Sequence, residues 1–342
     1  MNFFENAETK LDSLAKPPKS LGGLEDIAIA LCQSQKTETP SADKARISVF
    51  AGDHGVARQE KVSPYPPSVT ALMVKTFLAG KAAINSIASS NQVDVEVINC
   101  GVEGLDDTVK SSGDVKIFYG ASLNGPTKNL KIEDAMTSAE IDVALTAGRQ
   151  AAKRAVEDGI TVVGAGEMGI GNTTAATAIF CKLFNLDPHE ITGPGTGLDR
   201  DGINLKAKVI AEALERTASL KEPLDILKAV GGFEIAAMTG FYLEAAESNL
   251  TILLDGFITT SAFAIALALN PSLKESVIVT TVSGEPSHRQ VLSIMGLGAP
   301  VFDLGLRLGE GTGACLSVPV VKSACSVINN MATLTEVLEG RI

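Results

Sequence analysis

The 342-residue chain lacks a cluster of Lys or Arg: 29 basic residues face 40 acidic ones, a formal net charge of −11. Nucleic acid, which selects a basic face, is therefore not an expected partner. A small anion would depend on local positive groups, for which Lys206, His288, Arg289 and Arg307 are candidates. Histidine is scarce, at three residues, and the five cysteines are odd in number, without ligand or disulfide spacing. That suits a reduced, cytoplasmic protein better than a zinc site or a secreted, disulfide-bonded one. The opening MNFFENAETKLDSL has no basic leader with an apolar core, so secretion is not expected. Nor is there a clean apolar run of membrane length. The least polar stretch, Thr251 to Leu269, contains Asp255-Gly256 and several hydroxyl residues and reads as core. Both common nucleotide signatures are also missing, since no P-loop Lys precedes a Ser/Thr and the glycines fall outside the dinucleotide register.

What is present is an alternation. Short β-branched runs recur at Arg46 to Ala51, Val93 to Asn99, Val115 to Tyr119, Ile160 to Ala165, Thr251 to Leu254 and Val277 to Val282. Alanine-rich stretches of helical length separate them, which predicts an α/β fold with a buried, parallel, Rossmann-like sheet flanked by helices. Leu11 to Leu31 and Gly313 to Leu338 read as helices without neighbouring strands. They predict a second, smaller helical domain from the two termini (1–39 and 312–342) beside a large catalytic domain (40–311).

Ligands of open α/β sheets sit beyond the carboxyl ends of the strands, where the glycine-rich segments fall. Gly52-Asp53-His54-Gly55-Val56 follows the first strand, Gly166 to Thr174 the fourth, Asp255-Gly256-Phe257 the fifth and Ser283 to His288 the sixth. With Thr192 to Asp199 and Gly231 to Glu234, these are expected to line one cleft. Two segments share a design, a carboxylate among glycines before a helix: Gly166-Glu167-Met168-Gly169-Ile170-Gly171-Asn172-Thr173-Thr174 and Arg307-Leu308-Gly309-Glu310-Gly311-Thr312-Gly313-Ala314. Glycines admit a ligand close to the backbone, and a helix start offers N–H groups to an anion. A partly buried Glu at such a place is a usable general base. Asp53 reads as stabilising a turn rather than as a metal ligand beside His54, and Asp106-Asp107-Thr108 as a loop.

Seven ordered segments carry a resemblance: GDHGV (52–56), VSPYPPSVT (62–70), GEMGIGNTT (166–174), GGFEIAAMTG (231–240), LLDGFI (253–258), SGEPSH (283–288) and LRLGEGTGA (306–314). Together, from KPPKSLGGLE (16–25) to the final helices, they resemble the nicotinate-nucleotide:dimethylbenzimidazole phosphoribosyltransferase family. The resemblance implies transfer of ribose 5-phosphate from nicotinate mononucleotide to dimethylbenzimidazole, and a homodimer whose partner helps close each site. It implies Glu310 as the base, with Glu167 beside the ribose and the incoming base. Gly169, Asn172, Lys206, Ser283 and Gly284 are implied to hold the nucleotide, with Thr173 beside them. The phosphate is expected on Lys206 and on the amides of Gly169, Ser283 and Gly284.

Some members place Ser and Gln against the base where this chain has Tyr65 and Met73. With Leu308, these are expected to form an apolar wall for a flat ring. The cationic pyridinium of the nucleotide departs without acid or metal, so no cofactor is expected. Transfer to a purine or phenol, or a non-catalytic nucleotide-binding subunit, are the alternatives; Glu310 argues for an enzyme.

Overall fold

The computed structural model describes residues 2–105, 109, 114–120 and 123–342; the Asp106-Asp107-Thr108 segment lies outside them. Six strands, β1 (Ala45–Ala51), β2 (Asp94–Asn99), β3 (Lys116–Tyr119), β4 (Val162–Met168), β5 (Thr251–Leu254) and β6 (Val277–Val279), form one sheet in the order β3-β2-β1-β4-β5-β6. Every pairing is parallel. This is the doubly wound order expected of an α/β chain; it reverses between β1 and β4, where loops leaving the carboxyl ends diverge.

Successive side chains of a strand point to opposite faces, and here both faces are covered. From β1, Phe50 enters the apolar cluster shared with helices Ser138–Glu157, Asn172–Phe184, Phe233–Glu247 and Phe257–Leu269. Ile47, Val49 and Ala51 enter the other, shared with helices Phe3–Ser13, Gly23–Gln35, Val69–Leu78, Ala83–Asn91 and Thr312–Asn330. Among the described residues between β2 and β3 there is no helix. None of the described helices is long and apolar enough to cross a membrane.

Two boundaries differ from the sequence reading. The N-terminal stretch read as one helix is two, Phe3–Ser13 and Gly23–Gln35, because Pro17-Pro18 lies between them and proline cannot donate within a helix. β4 runs on through Gly166-Glu167-Met168, in register with Val49, Phe50 and Ala51, where the glycine had suggested a turn. Both chain ends meet: the N-terminal helices pack against Thr312–Asn330, and the Ala15 amide donates to the Ala332 carbonyl at 2.9 Å.

Candidate active site

A cleft opens beyond the carboxyl ends of β4 and β5. Three helices begin at it, Asn172–Phe184, Phe257–Leu269 and Thr312–Asn330, with Gly171, Gly256 and Gly311 at their N-caps, where glycine has no side chain to cap the helix. Helix N-termini carry N–H groups without partners in their own helix and favour negative charge. A glycine cap leaves the start of Asn172–Phe184 open to a ligand, whereas the Asp255 carboxylate already occupies that of Thr312–Asn330.

The two glutamates sit around one glycine. Glu167 is the penultimate residue of β4 and is buried, and a side chain on Gly309 would come within 2.1 Å of its Oε1. Asn172 Nδ2 donates to its Oε2 at 2.5 Å. Burial pushes the Glu167 carboxyl up to about 8, opposed by that hydrogen bond and reinforced by Asp255, Glu234 and Glu310. Glu310 is also buried and accepts from the Ile84 amide at 3.1 Å, near the start of the Ala83–Asn91 helix. Burial raises its pKa, and the Ile84 hydrogen bond works against that rise. Glu310 adopts φ +61°, between Gly309 at +84° and Gly311 at +81°. A non-glycine residue in this left-handed region costs roughly 1–2 kcal/mol. Gly166 has no side chain for a corresponding reason, since a Cβ there would lie 2.3 Å from the Glu310 carbonyl oxygen.

On the facing wall, Thr173 and Ser283 line the cleft. Lys206 is fully buried behind Thr173, with Nζ donating to Thr173 Oγ1 at 2.8 Å and to the Gly193 carbonyl at 3.4 Å. Burial lowers its pKa to about 8, partly offset by Glu285.

The profile of a family described as phosphoribosyltransferase matches residues 1–337. A nicotinate-nucleotide–dimethylbenzimidazole phosphoribosyltransferase of Ectopseudomonas mendocina is 44% identical over 331 residues, 96% of this chain and 92% of that protein. The Thermus thermophilus protein of the same name is 40% identical over 333 residues, 97% of each. A crystal structure of CobT from Thermus thermophilus superposes with a TM-score of 0.92 at 39% identity, covering 98% of both chains. The chain belongs to the nicotinate-nucleotide–dimethylbenzimidazole phosphoribosyltransferase family.

In this phosphoribosyltransferase the cleft gathers most, not all, of the segments expected there. Glu167, Gly169, Asn172, Thr173, Ser283 and Leu308 line it. Lys206 reaches it only through Thr173. The Ser283 amide, expected to bind phosphate, donates instead to His288 Nδ1 at 2.8 Å, and the Gly284 amide donates to the Leu306 carbonyl at 2.8 Å. Their N–H groups are spent within the fold, so what remains on Ser283 is its hydroxyl. Gly284 lets Arg307 pass close by, its Cβ 3.3 Å from where a side chain would start.

Tyr65 and Met73 are not among the lining residues. They are tied to its edge through Ser63 Oγ, 3.4 Å from Thr196 Oγ1, and Thr70 Oγ1, which accepts from the Ile170 amide at 3.2 Å. The segments after β1 and at 231–234 lie behind the cleft, where His54 Nε2 and Glu234 Oε1 meet at 2.7 Å, both fully buried. Asp53, read as stabilising its own turn, instead joins that turn to the loop after β2, accepting from the Glu103 amide at 2.9 Å. Among the described residues no group of three His, Cys, Asp or Glu is placed to hold a metal ion.

Of the four cations considered for an anion, only Arg307 lines the cleft. His288 is fully buried, which lowers its pKa to about 4, with the Arg289 charge adding to the effect. Arg289 pairs with Asp303 on the surface.

Sequence reasoning placed the Asp255-Gly256-Phe257 segment in the cleft, where it lies, but gave Asp255 no role. It accepts from the Ala314 amide at 2.9 Å, anchoring the helix that follows Glu310. Burial pushes its carboxyl up to about 6 against backbone hydrogen bonds from Ala314, Gly313, Gly256 and Gly311. The available signal for a role was its place at a strand end beside a glycine and before a helix, comparable to the glycine setting that singled out Glu167.

Proposed function

We propose that this chain transfers ribose 5-phosphate from nicotinate mononucleotide to 5,6-dimethylbenzimidazole, forming α-ribazole 5′-phosphate and nicotinate. The observation that carries the reading is the pair Glu167 and Glu310 set around Gly309, beside a cleft onto which glycine-capped helices open. Relatives of that name, matching along nearly the whole chain, support it.

The nucleotide's ring nitrogen takes the electrons of its bond to C1′ and leaves as neutral pyridine nitrogen. A benzimidazole nitrogen forms the new bond to C1′ from the opposite face, inverting the centre to α. The proton on the other azole nitrogen passes to Glu310, whose raised pKa makes it a stronger base than an ordinary carboxylate. Glu167, at about 8, holds a proton at neutral pH and offers an O–H to the ribose. The phosphate is held by the start of the Asn172–Phe184 helix, with Gly169, Asn172 and Thr173, and by the Ser283 hydroxyl. Lys206 acts behind Thr173, and Gly284 leaves room for Arg307. Leu308 supplies an apolar contact for the base, and the segment of Tyr65 and Met73, tied to the cleft's edge, brings theirs when the base is bound. Leu304 and Leu308 are 64% and 57% exposed on the cleft-bearing segment, and apolar surface of this kind supports closure by a second copy in a homodimer.

The test is turnover of nicotinate mononucleotide with dimethylbenzimidazole. Glu310→Gln is expected to lower kcat by ~10²–10⁴-fold, the usual contribution of a general base, with little change in nucleotide KM. Absence of product with the wild type rejects the reaction, and an undiminished kcat in the variant rejects Glu310 as the base.

A further inference from the structure

The backbone of Ser283 is held in place by a side chain that does not itself line the cleft. The Ser283 N–H donates to His288 Nδ1 at 2.8 Å, His288 Nε2 lies 2.9 Å from Thr260 Oγ1, and Thr260 Oγ1 lies 2.7 Å from the Gly256 carbonyl oxygen. An amide N–H only donates and a carbonyl only accepts, so the two ends of this chain fix its polarity throughout. Nδ1 keeps its lone pair and Nε2 carries the proton. Thr260 accepts from the imidazole and gives its own hydrogen to Gly256.

The ring is fully buried and stands edge-on to Phe257, 6.1 Å away at 82°. Burial, with the Arg289 charge, lowers its pKa to about 4, which agrees with the neutral form the hydrogen bonds require. Gly256 caps the Phe257–Leu269 helix, and both Gly256 and Ser283 line the cleft.

We propose that His288, as the neutral Nε2–H tautomer, is a positioning residue for the nucleotide, locking the Ser283 loop to the start of the Phe257–Leu269 helix. This deepens the phosphoribosyl-transfer reading and rests on it. With its amide bound to His288 and its Oγ accepting from the Glu285 amide at 3.2 Å, Ser283 has its hydroxyl hydrogen left to donate. The lock sets where that hydrogen points, and so how well it meets the phosphate of the nucleotide. In this proposal the lock serves nucleotide binding, not acceptor binding or the chemical step.

His288→Leu keeps bulk and removes both hydrogen bonds, whereas His288→Asn returns an acceptor near the position of Nδ1. Calorimetry with nicotinate mononucleotide should show His288→Leu binding up to ~10-fold more weakly, in line with the net worth of one hydrogen bond. Its kcat and benzimidazole KM should stay close to wild type, and His288→Asn should recover most of the affinity. Unchanged affinity in His288→Leu overturns the proposal, as does an Asn variant no better than Leu, which would reduce the role to packing. If His288→Leu does not fold, Thr260→Val carries the test: removing the acceptor of Nε2–H should weaken nucleotide binding measurably, and wild-type affinity overturns the lock. Binding is read apart from turnover, so a wild type that binds nucleotide without forming product rejects the reaction and leaves the lock to be judged on affinity.

Discussion

Glu167 and Lys206 are ionisable side chains that the fold buries without a full countercharge, and burial moves their pKa values in opposite directions, both to about 8. For Glu167 the folded value lies above the ordinary 4.5, so the folded state binds the proton more tightly than the unfolded chain. Its contribution is complete below about pH 4.5, declines as pH rises, and is lost above about 8. Lys206 acts in the next window: its folded value lies below 10.5, so stability recovers between about 8 and 10.5 as the unfolded chain gives up its tighter proton. Glu167→Gln keeps an acceptor for Asn172 and removes the titration. Its thermal midpoint should fall less than that of the wild type between about pH 5 and about pH 8, leaving the variant the more stable at the upper end. Parallel melting curves would show instead that Glu167 is ionised throughout. At this scale the sequence displayed both glutamates, because a carboxylate among glycines is conspicuous. It did not display the His288–Thr260 chain or the Asp255 anchor, which depend on residues 28 and 59 positions away meeting in space.

β4 and the turn at 309–311 form a clasp, and the clasp explains the glycines that flank each glutamate. Gly166 sits against the backbone of Glu310, and Gly309 against the carboxylate of Glu167, so each segment is small where the other presses on it. A sequence read one segment at a time sees two glycine turns. It cannot see that one of the glycines belongs to a strand, paired in register with Val49, because the reason for it lies some 140 residues downstream. The other strands were legible because a sheet covered on both faces needs continuous apolar runs, and their positions held to within a few residues. Gly166→Ala tests the clasp. The added Cβ would lie 2.3 Å from the Glu310 carbonyl oxygen, which is backbone and cannot swing aside as a flexible side chain would. The expected cost is roughly 1–3 kcal/mol in chemical denaturation, as for overpacking elsewhere. The resulting shift of Glu310 should lower kcat more than nucleotide affinity. A variant as stable and active as the wild type would mean that the two segments move freely past each other.

The whole molecule is organised so that its last long helix begins at the active site and ends against its first helices. Thr312–Asn330 starts two residues after Glu310, is anchored there by Asp255, and packs on the sheet and on Gly23–Gln35. Sequence patterning exposed the pairing of the chain ends, since neither terminal stretch has a neighbouring strand to cover. It also predicted that those helices form a smaller domain of their own. Ala7, Leu11 and Leu31 belong to the same apolar cluster as Ile47 and Val49 of β1 and Ala314 and Val318 of the last helix, and the cluster continues from the terminal helices onto the sheet without a break. We therefore expect the termini to be a smaller lobe sharing the core of the catalytic body. Calorimetry should show one unfolding transition, with calorimetric and van't Hoff enthalpies equal, as cooperative folding requires. Deleting residues 2–14 removes the buried Ala7, Leu11 and Leu14, and burial of each Leu is worth about 1.5–3 kcal/mol. The truncated chain should melt at lower temperature, still in one step, and lose turnover in parallel because the helix behind Glu310 loses its support. Two resolved transitions, or a truncation that leaves activity at wild-type level, would instead establish the terminal helices as an independent domain.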